Sequence, residues 1–160
     1  RAEGYQQIAN IFLDIADNEK EHAERFFSFL CHEYYGEQLS IQAEYPIGLG
    51  TTLENLGYAA AGEHEEWSLL YPGYADVAKS EGFADIALCF RKISEVEIRH
   101  EARFLKLLEN MSTNQVFQRE VEVEWKCDNC GYIHTGKAAP EICPACLHKI
   151  DYFEINCALL

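Results

Sequence analysis

With 160 residues, the chain can form one medium domain, or a medium domain with a small one beside it. A hydrophobic share of 48% supports a packed core and excludes a disordered chain. The formal net charge of −14 argues against nucleic acid or an anionic membrane as partner, since both attract basic faces.

No apolar run approaches the length needed to span a bilayer, and no N-terminal signal peptide is visible. Of the seven cysteines, Cys127, Cys130, Cys143 and Cys146 form two Cys-x-x-Cys pairs, and Cys31, Cys89 and Cys157 are scattered. An odd count of this kind fits a reducing compartment better than a disulfide framework, so the expected location is the cytoplasm. The scattered three read as buried or incidental thiols.

Residues 5–35 predict one long helix. Along it Ile8, Phe12, Ile15, Glu19, His22, Phe26 and Phe29 recur at alternating steps of four and three, the spacing of a face packed into a bundle. Residues 36–50, with three glycines and a proline, predict a loop. A second helix is expected from about Thr52, as N-cap, to Glu81, with Pro72 and Gly73 kinking or interrupting it near Tyr71. Its seam carries Leu53, Leu56, Ala60, Glu63, Trp67 and Leu70, and Glu66 lies three residues after Glu63. Gly82 closes that segment. A third helix over about Phe83–Met111 has the seam Ile86, Phe90, Ile93, Glu97, His100, Phe104 and Leu107. Residues 112–119 read as a linker. VEVEW at 121–125 alternates like a strand, two cysteine knuckles follow, and DYFEI at 151–155 is a last extended run. The division expected is a helical domain over 1–112, and a linker with a small cysteine domain over 113–160.

Both the first and the third helix replace two apolar seam positions by a Glu-x-x-His pair, Glu19–His22 and Glu97–His100. Residues three apart share a helix face, so each pair can converge on one point, and Glu63 with Glu66 can join them. Burying so many carboxylates costs several kcal/mol per charge unless cations lie between them. Glutamate and imidazole suit iron or manganese, and di-iron carboxylate bundles use two Glu-x-x-His pairs with one lone glutamate from each of two further helices. A single such pair is commonly chance; two, each on an apolar seam, point to metal. His64 falls off the seam and reads as solvated. His32, His134 and His148 have no partner at ligand spacing and read as surface or structural residues. The four paired cysteines, with twelve residues between the knuckles, predict a tetrahedral thiolate site for either zinc or iron. Nearby Trp125, Tyr132, Tyr152 and Phe153 suit a small domain that relies on its metal to fold.

ADNEKEHAERFF, AAGEHEEW followed by LLYPGYA, EVEIRHEARFL and WKCDNCGYIHTGKAAPEICPAC together resemble the rubrerythrins, in the family's order and over nearly the whole chain. The resemblance implies a mainly helical, ferritin-like four-helix bundle with a rubredoxin-like domain, and shifts the four-cysteine site from zinc towards iron. It implies two irons in a carboxylate-bridged centre held by Glu19, Glu63 and Glu97, with Glu97 able to bridge, and by His100. His22 and Glu66 match the family's pair that exchange as ligands when the oxidation state changes. Tyr71 matches a tyrosine that hydrogen-bonds a ligating carboxylate. The implied function is reduction of hydrogen peroxide to water for protection from oxidative stress, by a peroxidase whose NAD(P)H-derived electrons come from a partner reductase or rubredoxin through the Fe(Cys)4 centre. The implied assembly is a head-to-tail homodimer, with helix exchange as a further possibility. Two alternatives stand beside this: a ferroxidase that stores iron, and a non-catalytic binding module carrying a zinc ribbon. The chain departs from the family in starting where a first helix with a glutamate ligand would end. It is therefore expected to hold three long bundle helices and to lack that ligand, for which Glu3, outside the seam, is no substitute.

Overall fold

The computed structural model describes residues 1–31, 34–45 and 47–156, so His32 and Cys157 fall outside the described residues. Among the described residues, four α-helices precede a small antiparallel sheet. Helix α1 spans Gln6–Cys31, shorter at its far end than the pattern predicts. No regular element forms over residues 36–45 and 47–50.

Helix α2 (Thr52–Glu65) starts from a capping box. Thr51 Oγ1 accepts the Glu54 N–H at 3.3 Å, and the Thr51 N–H donates to Glu54 Oε2 at 2.9 Å. The cap is thus one residue earlier than expected, because the partner glutamate sits three residues after Thr51. Helix α2 runs without a sharp break into a π-turn, Glu66–Leu70, and on into α3, Tyr71–Ser80. Pro72 explains the widened turn. It has no N–H to return to Ser68, four residues back, and its ring would press on that carbonyl. The Tyr71 N–H bonds Glu66 O instead, five residues back, and the helix changes pitch there. Gly82, at φ +91°, ends α3 in a left-handed turn, with the Phe83 N–H returning to Ala78 O at 2.9 Å. Helix α4 spans Ala84–Ser112.

The sheet has the order β2-β1-β3, with β1 Gln118–Cys127, β2 Ile133–Ala138 and β3 Phe153–Ile155. Trp125 pairs with His134 on one side and Ile155 on the other, and a bulge interrupts β1 between Gln118 and Val123. The extended run expected at 151–155 begins as a 3₁₀ turn, Ile150–Tyr152, and only its end joins the sheet.

By packing, the chain divides into two compact units, residues 1–14 with 107–160, and residues 15–106. In the first, fully buried Trp125, Cys127, Cys143 and Phe153 make a core, ringed by Phe117, Val123, Tyr132 and Ile150. Trp125 Nε1 donates to Gly136 O at 3.0 Å, so the largest buried ring leaves no polar atom unpaired. In the second, Ile15, Leu56, Ala60, Ile93 and Phe104 are buried from three helices, and Ala75, Ala78 and Ala87 pack with Ile86 and Phe90. The seam positions of α1 and α4 are buried or half-buried throughout. On the second helix Leu53 departs from its seam and stays 42% exposed, one position into the first turn. No helix among the described residues is long and apolar enough to cross a membrane.

Candidate metal centres

Helices α1, α2 and α4 bring Glu19, Glu63, Glu97 and His100 together, with one ligand atom of each within 4.8 Å of all the others. His22 joins this group through two contacts, Nδ1 lying 3.2 Å from Glu19 Oε2 and 3.0 Å from Glu97 Oε1. His100 Nδ1 lies 2.8 Å from Glu97 Oε2, 3.0 Å from Glu19 Oε1 and 3.6 Å from Glu63 Oε2. The two oxygens of Glu97 therefore face two different imidazoles. Glu66, at the start of the π-turn, is half-buried and outside the tight group of four. It feels the charges of Glu19 and His22, and its carboxylate accepts a hydrogen bond from the Tyr71 hydroxyl. The π-turn favours that pairing: residues five apart lie far round an α-helix but much closer in angle on the wider coil.

One residue of this site escaped the sequence reading. Asn18 Oδ1 lies 3.2 Å from His100 Nε2. A ring that donates its Nε2–H to Asn18 carries its lone pair on Nδ1, the nitrogen facing the carboxylates. Asn18 stands one place off the seam, where no spacing rule marks it.

Short as these approaches are, Glu19 Oε1, Glu63 Oε2, both Glu97 oxygens and His100 Nδ1 are buried with no well-formed hydrogen bond among the described residues. Five gathered ligand atoms without donors are what a cation site requires and what a structural polar network avoids. The electrostatics agree. Burial first, then the charges of Glu19, Glu63 and Glu66, push the Glu97 carboxyl up to about 9. Burial first, then Glu19, Glu66 and Glu101, push Glu63 up to about 8. Burial drives Tyr71 up, reinforced by Glu66, so its hydroxyl keeps its proton, and burial drives His100 down against the pull of Glu19. Carboxylates that resist ionising together are released when cations enter among them. The donor set fits a carboxylate-bridged di-iron centre.

These shifts set a pH dependence. A carboxyl raised in the folded state stabilises the fold below its unfolded value near 4.5, and that contribution is lost as pH rises towards 8 and 9. His100, shifted down, affects stability only below about its unfolded value of 6.5, so the interval from 6.5 to 9 isolates the carboxyls. Metal-free Glu97→Gln should therefore gain on the metal-free parent as pH rises through that interval, the gap in melting temperature widening by on the order of 5 °C. Thiol titration cancels in the comparison. A gap that stays constant with pH, followed by calorimetry, would mean that Glu97 is ionised without metal.

The second cluster joins Cys127, the last residue of β1, and Cys130, just beyond it, to Cys143 and Cys146. The Sγ atoms of Cys127 and Cys146 are 3.7 Å apart, as are those of Cys130 and Cys143. That is too long for disulfides and matches the edge, about 3.8 Å, of a tetrahedron with metal–sulfur bonds of about 2.3 Å. After the second cysteine of each knuckle the chain turns left-handed, Gly131 at φ +78° and Leu147 at φ +62°. The backbone N–H of His148 is the main cause holding Cys146 down at about 6. The Tyr132 N–H is the largest single influence on Cys130 and lowers it, but burial and the neighbouring thiols prevail and push it up to about 12. Burial pushes Cys127 up. Thiols shifted as unequally as Cys127, Cys130 and Cys146 are brought to the thiolate form together by a cation, and the four-cysteine site fits Fe(Cys)4.

None of the remaining described candidates belongs to either group of ligand atoms. His64, 55% exposed at its side chain, contacts Glu101 at 3.0 Å. His148 packs its ring edge-on against Tyr152, and His134 lies on β2. Of the thiols expected to be buried or incidental, Cys31 is exposed and so not a buried one, and Cys89 is half-buried.

Comparison with known proteins gives one answer. The family model described as Rubrerythrin matches residues 1–108, and the one described as Rubrerythrin, rubredoxin-like domain, matches residues 125–154. A rubrerythrin of Clostridium perfringens is 53% identical over 156 residues, covering 97% of this chain and 80% of that protein. A rubrerythrin of Nitratidesulfovibrio vulgaris is 44% identical over 156 residues, with the same coverage of 97% and 80%. Among solved structures, a mixed-valence state of nigerythrin matches with a TM-score of 0.60 at 26% identity, covering 97% of this chain and 72% of that one.

Proposed function

This chain belongs to the rubrerythrin family, and on that premise we propose that it is a non-haem peroxidase that reduces hydrogen peroxide to water, taking electrons in through its four-cysteine iron. Rubrerythrins are di-iron oxidoreductases linked to oxidative stress. The observation that carries it is the set of five buried ligand atoms without hydrogen bonds on α1, α2 and α4, in a chain that also holds a tetrahedral thiolate site.

Functionally we divide the chain at 1–112 and 113–160, because every carboxylate and imidazole of the first centre precedes residue 112 and all four thiols follow residue 113. Glu19, Glu63, Glu97 and His100, with His22 and Glu66, would hold two irons, and Cys127, Cys130, Cys143 and Cys146 a third. When bound, the paired irons supply one electron each to the O–O bond and the positive charge that stabilises the oxygen product.

The chain's own residues set the conditions for this. Glu97, fully buried, turns one oxygen to each imidazole, as a bridging ligand would need. Asn18 Oδ1, accepting the Nε2–H of His100, would keep the Nδ1 lone pair of that ring turned inward. Tyr71 keeps the proton on its hydroxyl and aims it at the Glu66 carboxylate. Glu66 stands outside the tight group near His22, as an exchange of those two ligands needs. A reductase carrying NAD(P)H-derived electrons, or a rubredoxin, would deliver them to the thiolate iron, in a homodimer.

Metal analysis and visible spectra of protein from iron-supplied cells test the reading. About three irons per chain are expected, with a thiolate-to-iron band that bleaches on reduction and returns with peroxide. Zinc at the cysteines with no iron in the bundle would sink it. Oxygen consumption with mineral deposition and no response to peroxide would instead assign iron storage.

A further inference from the structure

The π-turn that pairs Glu66 with Tyr71 leaves one carbonyl without a helical donor. Trp67 O would accept from the Tyr71 N–H in an α-helix, but that N–H goes to Glu66 O. In a π-helix it would accept from residue 72, which is proline and has no N–H. The missing donor comes from across the bundle: Ser94 Oγ on α4 donates to Trp67 O at 3.1 Å. The Trp67 indole also reaches α4, its Nε1–H donating to Glu101 Oε2 at 2.6 Å. Glu101 Oε1 meets His64 Nδ1 at 3.0 Å, and the His64 ring packs edge-on against Trp67 with centroids 4.9 Å apart. Ser94 and Glu101 are seven residues apart, two helical turns, and Glu97 and His100 lie between them on the same helix.

We propose that Ser94, Trp67 and Glu101 form a clamp that pins the π-turn to α4 and thereby fixes where the Glu66 carboxylate can reach. These are positioning residues. None belongs to the metal-ligand group; they act through the backbone of residues 66–71. The clamp fixes that backbone at the level of Glu97 and His100, so Glu66 can change partner by side-chain rotation alone. The inference rests on the di-iron reading only for its consequence; the clamp itself is a property of the metal-free chain.

The test uses Ser94→Ala, Trp67→Phe and Glu101→Leu, with Glu101→Gln as the conservative variant, since its amide oxygen still accepts from the indole. In the metal-free protein, amide hydrogen exchange across residues 66–71 should quicken by about tenfold in the first three variants and stay near the parent rate in Glu101→Gln. In a ferrous-iron titration those three should bind one of the two bundle irons about tenfold more weakly, with the thiolate-to-iron band unchanged. Parent-like exchange in all three, or Glu101→Gln as loose as Glu101→Leu, overturns the clamp. Faster exchange with unaltered iron affinity overturns its role in placing Glu66. If the parent itself takes up no iron in the bundle, the peroxidase reading fails, and the exchange rates alone decide the clamp.

Discussion

Glu97→Ala is expected to empty the helical centre, lowering iron from about three to about one per chain and peroxide turnover by at least about a hundredfold. The expectation comes from the position of this side chain. It is 0% exposed, its two oxygens face the imidazoles of His22 and His100, and neither oxygen has a hydrogen bond to fall back on. Removing it takes an oxygen from beside each imidazole at once; Glu19 also has one oxygen beside each, but it is 36% exposed, whereas Glu97 is sealed inside. The same change removes the carboxyl hardest to ionise in the cluster, so the metal-free variant should be no less helical than the parent. Iron analysis and circular dichroism on one preparation separate the two effects. A variant that still holds two bundle irons would show that Glu97 is a buried acid and not a ligand.

Cys130→Ser is expected to stop turnover while leaving iron in the bundle. Cys130 is the exposed member of the thiolate site, so its sulfur can be replaced with less damage to packing than that of buried Cys127 or Cys143. A serine hydroxyl does not replace a thiolate as an iron ligand, and the loss should abolish the thiolate-to-iron band. If peroxide turnover depends on electrons entering there, a single turnover by pre-reduced protein survives and steady-state turnover falls by at least about a hundredfold. Zinc placed in the intact site gives the same outcome without any mutation, since zinc binds four thiolates but carries no electron. Sustained turnover in either preparation refutes the electron-entry role.

The mid-bundle cluster was legible because helical periodicity is a strong constraint. Once Ile8, Phe12, Ile15, Phe26 and Phe29 define a face, Glu19 and His22 are polar intruders on it, and α4 repeats the arrangement in Ile93, Glu97, His100 and Phe104. The cysteine knuckles were legible because ligand spacing on a tight turn is local chemistry. The rest depends on contacts between elements. Pro72 announced a disturbance but not its form: a kink and a π-turn begin from the same missing N–H, and Ser94, distant in sequence, holds the second. Asn18 and Glu101 read as ordinary helix residues, and Trp67 as one more seam position, until α4 is placed beside α1 and α2. Strand β2, IHTGKA, lacks a clean alternation, and its pairing with β1 is supplied by the knuckle between them.

The two knuckles are not equal in backbone cost. After Cys130 the left-handed residue is Gly131, which adopts that conformation freely, and an added Cβ there would meet nothing within 4 Å. After Cys146 it is Leu147, held at φ +62° with its side chain 78% exposed, so burial returns little for the strain. The Cys143–Cys146 turn is therefore a wound spring that a bound ion would keep closed, and the Cys127–Cys130 turn is a passive cradle. Exchange of that ion would then have a direction, the strained turn opening first and closing last.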